Sequence, residues 1–167
     1  MLGQRWGMVS PRPLILVLCL VAGLLAPGSL APSPADALAP VAARTASGPY
    51  ADQAFRVTNK RRAQHRLVEL SRDRCLQRRA LDQARKLSLE GHLFHQDLRR
   101  VQRLCGVGYT GENVAFGFAT GKLTVLAWMH SPDHRANILK KQYRLMGIAA
   151  VKRHGVWWVA QVFGTQA

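Results

Sequence analysis

Acidic residues are scarce in this chain of 167 residues, with 9 Asp and Glu against 24 Lys and Arg. The net charge of +15 predicts attraction to polyanions but does not determine a fold. No apolar run reaches the roughly 18–20 residues of a membrane-spanning helix, which excludes a polytopic membrane protein. The 3 cysteines are too few for a small scaffold built on many disulfides. With 48% hydrophobic residues, the chain is expected to form one globular domain.

The N-terminal segment has the layout of a secretory signal. Two arginines precede an uncharged apolar run over 14–26, and an A-x-A sequence ends at Ala37. As a helix this run is too short to cross a bilayer, so we favour a cleaved signal over an uncleaved anchor. We expect residues 1–37 to be a signal peptide, 38–51 a flexible leader and 52–167 the folded domain of a secreted protein. The mature chain is then expected to contain no transmembrane span.

Apolar spacing predicts that the helices come first in the domain. Asp52 is expected to cap a helix over 53–65, and a second helix with one apolar face is expected from Asp73 to Gly91. A short turn or helix is predicted over 97–104, and further helices are predicted over 123–129 and 133–139. The run over 123–129 is apolar nearly all round, which predicts a buried helix. Ser131 and Pro132 suit the N-cap and first turn of the last helix.

Strand patterns appear only late in the chain. Residues 145–151 and 156–163 are apolar runs rich in β-branched and aromatic residues, and a short turn separates them. They predict a hairpin, with 113–118 as a candidate third strand and Trp157-Trp158-Val159 covered on both faces. Helices followed by antiparallel strands indicate an α+β or sandwich architecture.

Two cysteines, Cys75 and Cys105, lie beyond the predicted signal. In an exported domain an even count is typical of a disulfide, and two unpaired buried thiols are the alternative.

Candidate catalytic chemistry rests on spacing alone. The chain contains no HExxH, CxxC, P-loop, GxGxxG or GxSxG motif. His95, Glu112 and His134 fall in predicted turns or at helix starts, where functional side chains concentrate. Two imidazoles and a carboxylate suit zinc with an open coordination position, and Glu112 is then the candidate general base. Structural or surface roles for all three residues are the simpler interpretation.

Two other patterns point away from specific chemistry. Ser131 lies close to Asp133 and His134, but a helix cap explains it better than a nucleophile. The basic pairs are not interleaved with aromatic residues for stacking, so we do not expect nucleic-acid binding. We interpret the basic residues as a solvated surface, with anionic cell-envelope polymers or lipid head groups as its candidate partners.

Two sequence segments carry a resemblance to a known family. GENVA at 111–115 and WMHSPDHRANIL at 128–139 closely resemble the bacterial form of the CAP superfamily, the SCP-like extracellular domain. This superfamily includes cysteine-rich secretory proteins, antigen 5 and pathogenesis-related 1 proteins. The resemblance extends over 55–164. It assigns structural roles to the motif residues Asn113, Trp128 and Asn137.

The resemblance implies an α-β-α sandwich around a small central antiparallel sheet, with a shallow cleft. In many members that cleft holds two His and two Glu, sometimes with a divalent metal such as zinc. His95 and His134 match the two His, which makes them the candidate metal ligands, and Glu112 matches the first Glu. Ser131 replaces the second Glu, so the cleft set is His95, Glu112, Ser131 and His134.

The implied function is that of a secreted, non-catalytic binding module. Its cleft is expected to take up a divalent metal, a lipid or an envelope ligand. The alternative is a metal-dependent hydrolase that uses His95, His134 and Glu112. The incomplete tetrad favours the binding module.

Overall fold

The computed structural model describes residues 48–166, which form five helices and four strands. The predicted signal peptide and residues 38–47 of the predicted leader lie outside the described residues. In chain order the elements are α1 (Pro49–Gln64), β1 (Ser71–Arg72), α2 (Arg74–Glu90), α3 (Leu98–Cys105), β2 (Thr110–Phe116), α4 (Gly121–His130), α5 (Pro132–Leu139), β3 (Leu145–Arg153) and β4 (Val156–Gly164). No helix within 48–166 is long and apolar enough to cross a membrane.

The four strands form one sheet in the order β1-β3-β4-β2. The predicted hairpin is confirmed, because β3 pairs antiparallel with β4 from Leu145 opposite Gly164 to Arg153 opposite Val156. β2 pairs antiparallel with the other edge of β4. The prediction of an antiparallel sheet is correct for these three strands only. β1 pairs parallel with β3 over two residues, which are too few to carry a readable strand pattern.

Helices cover both faces of the sheet, which confirms the α-β-α sandwich. Val159 and Phe163 of β4 pack in one apolar cluster with residues of α1, α4 and α5. Ala160 and Val162, on the opposite face, pack in a second cluster with α2 and α3. This alternation follows from the period of two in a strand. The central strand is therefore covered on both faces, as predicted.

The second helix, α2, follows its sequence pattern closely. The Asp73 carboxylate accepts a hydrogen bond from the backbone N–H of Leu76 at 2.8 Å, and Gly91 ends the helix with φ of 72°. The predicted apolar face is buried at Leu76, Ala80, Ala84 and Leu87. Gly147 of β3 permits this close packing, because a Cβ there would lie 2.2 Å from the carbonyl carbon of Leu76.

Two helix predictions need correction. α1 begins at Pro49, four residues before the predicted start, and Tyr50 and Ala51 are buried. Residues 49–51 are therefore helical rather than part of a flexible leader, because proline is well suited to a first helical position. α4 is not buried all round, since Leu123 is 46% exposed while Val125 and Trp128 are buried. The helix lies in an outer layer and packs with one side only.

The predicted disulfide between Cys75 and Cys105 is confirmed. It joins the first turn of α2 to the last residue of α3, with 5.5 Å between the two Cα atoms and 30 residues of sequence separation. The alternative of two free thiols is wrong. The bridge fixes both ends of the segment that carries the first candidate histidine.

Candidate functional site

Glu112 is the buried polar centre of the candidate site. It lies in β2 opposite Val162, and its side chain is 0% exposed. Oε1 accepts hydrogen bonds from His95 Nδ1 at 2.8 Å and from the backbone N–H of Gln96 at 3.2 Å. Oε2 accepts a short hydrogen bond from Gln96 Nε2. Three N–H donors from the loop after α2 therefore hold both carboxylate oxygens.

Gln96 is the residue of this site that the sequence analysis missed. It supplies two of the three donors to Glu112. The sequence indicates only that Gln96 lies next to His95. A single Gln in a polar loop belongs to no motif that would predict a role in the site.

His95 forms a hydrogen bond through Nδ1, and its Nε2 has no hydrogen-bond partner among the described residues. A carboxylate only accepts hydrogen bonds, so His95 Nδ1 carries the proton and Nε2 is left as an acceptor in the neutral ring. The hydrogen bond to Glu112 raises the pKa of His95, burial opposes that rise, and the charge of Glu112 reinforces it. The side chain is 57% exposed, so the ring is accessible to solvent.

His134 lies in the first turn of α5. Its Nδ1 is 2.9 Å from Ser131 Oγ, and its ring centroid is 6.4 Å from that of Trp128. Burial lowers the pKa of His134, the positive charge of His95 lowers it further, and Asp133 partly offsets both.

Ser131 occupies the N-cap position of α5, as predicted, but its side chain does not cap the helix. The hydroxyl contacts the ring of His134 instead. At the position where the resemblance expects a second Glu, the chain thus has a neutral group that orients one imidazole. Within residues 48–166, Asp133 makes no hydrogen bond to His134, so these residues do not form a Ser-His-Asp triad.

Two asparagines of the motif connect β2 to α5. Asn113 Nδ2 donates to the carbonyl of His134 at 3.2 Å, and Asn137 Nδ2 donates to the carbonyl of Glu112 at 3.1 Å. Asn137 Nδ2 also donates to Asn113 Oδ1 at 3.0 Å. Gly111 leaves room for this contact, since a Cβ there would lie 2.7 Å from Asn137 Oδ1. The asparagines therefore fix the backbones that carry Glu112 and His134.

An apolar groove of about 380 Å³ adjoins His134. Trp128 forms part of its wall and is anchored by its Nε1, which donates to the Val114 carbonyl at 3.2 Å. Phe116 is another wall residue and is 50% exposed. The groove thus places the imidazole of His134 beside an apolar surface, which the sequence analysis did not locate.

The site offers a metal ion a small donor set. Both imidazoles use Nδ1 in hydrogen bonds. The Nε2 atoms of His95 and His134 are therefore the nitrogen atoms available to coordinate a metal ion. Glu112 is enclosed by N–H groups. Within residues 48–166, no group of three or more His, Cys, Asp or Glu is arranged to hold a metal. Two neutral imidazoles suit zinc or copper, with the other coordination positions left to water or ligand atoms.

The model of the cysteine-rich secretory protein family, CAP, matches residues 55–163. The chain is 28% identical over 115 residues to the uncharacterized protein YkwD of Bacillus subtilis, which covers 65% of this chain and 45% of YkwD. The chain therefore spans less than half the length of that relative.

Solved structures share the fold. An outer surface protein of Borrelia burgdorferi superimposes with a TM-score of 0.67 at 20% identity, covering 72% of this chain and 96% of that one. A cysteine-rich secretory protein of Staphylococcus aureus gives a TM-score of 0.60 at 26% identity, covering 70% of this chain and 39% of that one. These structures share the α-β-α architecture, and the family-model match over residues 55–163 shows that the chain belongs to the CAP, or cysteine-rich secretory protein, family.

Proposed function

We propose that this protein is an exported binding module whose cleft takes up a divalent metal ion through His95 and His134 without catalysing a reaction. The observation that carries the proposal is the enclosure of Glu112. Its side chain is buried, and three N–H donors occupy its oxygens. The carboxylate therefore orients His95 instead of meeting a substrate.

The enclosure of Glu112 argues against the hydrolase alternative. A general base must lie within hydrogen-bond reach of the proton that it removes. The Glu112 side chain is 0% exposed, so reaching a water in the cleft would require it to move away from His95 and Gln96. A carboxylate that accepts from a histidine Nδ1 is a common support for a metal-binding imidazole, because it fixes the tautomer and raises ligand basicity.

The second imidazole is compatible with the same role. A metal ion at His134 Nε2 requires Nδ1 to carry the proton, and Ser131 Oγ at 2.9 Å can accept it. Two protein ligands give a weaker site than three or four. We therefore expect modest, exchangeable metal binding, in which a bound ligand completes the coordination.

The adjoining groove suggests the character of that ligand. Its apolar walls near Trp128 and His134 suit an apolar group next to a metal-bound polar group. A lipid or an envelope component with both features fits this description.

Three observations support export. The N-terminal sequence predicts a signal peptide, the Cys75–Cys105 disulfide is typical of oxidising compartments, and the Borrelia relative is an outer surface protein.

Zinc titration by calorimetry tests the metal site. We expect one ion per chain with the oxidised wild type, and binding at least about tenfold weaker in His134→Ala and in His95→Ala. His65→Ala is the matched control, because His65 is exposed at the end of α1. If all four proteins gave the same isotherm, the proposed site would be wrong.

A further inference from the structure

A second cavity has His95 among its lining residues. Its volume is about 490 Å³, and it is lined by α2, α3 and the loop between them. The charged side chains in its walls are Arg79, Asp82, Arg85, Lys86, Asp97 and Arg100. Basic residues therefore outnumber acidic residues there by four to two.

Both acidic side chains are already engaged. Asp82 Oδ2 accepts from Arg79 Nη2 at 3.0 Å. Asp97 Oδ1 accepts from the backbone N–H of Arg100 at 3.0 Å and caps α3. Among the described residues, the side chains of Arg85, Lys86 and Arg100 form no ion pair. The cavity consequently has an uncompensated positive charge.

Arg79 adds unused hydrogen-bonding capacity. Its guanidinium has five N–H donors, and Asp82 is its one ion-pair partner in the part of the chain that the structure describes. Arg79 Nε is the only buried side-chain nitrogen or oxygen in residues 48–166 that lacks a hydrogen-bond partner. The side chain is 29% exposed, so an anion in the cavity can reach the guanidinium. Nε itself has almost no accessible surface, so the anion is expected to bind the terminal N–H groups of the guanidinium that Asp82 leaves free.

We propose that this cavity binds a phosphate group carried on a small polyol or sugar-sized unit. A phosphate offers several charged oxygen atoms to arginine forks and a lysine, which is the chemistry that these side chains recognise best. The cavity is larger than a bare phosphate needs. A lipid head group and a soluble phosphate ester share this chemistry. The inference extends the proposed binding role, but it does not depend on the metal.

Titration with glycerol 1-phosphate tests the proposal. The isotopically labelled, oxidised protein is followed by NMR in buffer freed of metal on a chelating resin. We expect saturable shifts in α2 and α3. Affinity should fall about threefold in Lys86→Gln and in Arg100→Gln, and about tenfold in the double variant. Arg79→Lys should also weaken binding, because it keeps the charge but lacks the guanidinium fork.

Arg153→Gln is the matched control. Arg153 is exposed at the end of β3 and does not line the cavity, so its loss should leave the affinity unchanged. The proposal is wrong if the Lys86→Gln/Arg100→Gln variant binds like Arg153→Gln. It is also wrong if sodium chloride at equal ionic strength reproduces the shifts, since charge alone would then explain them.

Vesicles distinguish the sources of the phosphate. Co-sedimentation with phosphatidylglycerol in phosphatidylcholine, lost in Lys86→Gln/Arg100→Gln, assigns the cavity to a lipid head group. Glycerol phosphate binding without co-sedimentation assigns it to a soluble ester. Zinc binding is expected to survive in that double variant, and phosphate binding in His134→Ala. A wild-type protein that binds glycerol 1-phosphate but no zinc would therefore overturn only the proposed function.

Discussion

Replacing Glu112 with Gln perturbs the site with almost no change in shape. In the wild type, the carboxylate accepts three N–H bonds, one from His95 and two from Gln96. In Glu112→Gln, one terminal oxygen becomes an NH₂ group, which faces donors and cannot accept from them. Any bonds that survive become bonds between neutral groups.

The expected loss of stability follows from the change in these hydrogen bonds. Hydrogen bonds to charged groups contribute about 1.5–3 kcal/mol, against about 0.5–1.5 kcal/mol for neutral pairs. Removing the charge also removes the cost of burying it, which offsets part of the difference. We therefore expect Glu112→Gln to lower the free energy of unfolding by about 1–3 kcal/mol.

The loss should depend on pH. The pKa of His95 is raised in the folded state, chiefly by its bond to Glu112, so the folded protein binds this proton more tightly than the unfolded chain. That stabilisation is complete below the ordinary pKa of about 6.5 and disappears as the pH rises through the folded pKa. The difference between wild type and Glu112→Gln should thus be larger at pH 6 than at pH 8.

Urea denaturation at both pH values measures this effect, and NMR titration of His95 accompanies it. Glu69→Gln is the matched control, because Glu69 is exposed and should change stability by no more than about 0.5 kcal/mol. Unchanged stability in Glu112→Gln, together with an unchanged His95 midpoint, would refute the orienting role. Metal-dependent turnover of a peptide, ester or glycan that this variant abolishes at wild-type stability would favour the hydrolase.

Three further predictions follow from individual contacts. Replacing Cys75 and Cys105 with Ser removes the bridge across a sequence separation of 30 residues and should lower the free energy of unfolding by about 3–4 kcal/mol. An unchanged denaturation midpoint would show that the disulfide does not constrain the unfolded chain. Arg62 is buried and donates to four backbone carbonyls, so Arg62→Leu should destabilise by about 3–5 kcal/mol, and a loss below about 1 kcal/mol would be inconsistent with these bonds. In NMR titrations His95 should have a midpoint above about 6.5 and His134 one below it, and the reverse order would contradict the site geometry.

The sequence predicts those parts of the fold that local chemistry determines. Asp73 and Gly91 bound α2 in the chain as in the structure, because a side-chain cap and a left-handed glycine act within one turn. The two apolar runs of β3 and β4 predict the hairpin equally well. β1 was not predicted, since its two residues pair with a strand about seventy positions away. Its position depends on tertiary packing.

The candidate site could also be predicted only in part from the sequence. The motif around Glu112 and His134 predicts which residues matter, through resemblance to a family. The partners of these residues could not be predicted, because Gln96 approaches Glu112 only once the loop after α2 is folded. For the same reason, Ser131 was correctly placed at a helix start, while its bond to His134 was not foreseen.

The central claim is that His95 and His134 act together as one site through their Nε2 atoms. The most direct test is NMR of protein labelled with ¹⁵N-histidine, titrated with zinc at a pH where both rings are neutral. The account predicts that the Nε2 signals of both residues shift together and reach their end points at one equivalent, while both Nδ1 atoms stay protonated. A shift at one of the two rings alone, at neither ring, or at different equivalents for each would contradict it.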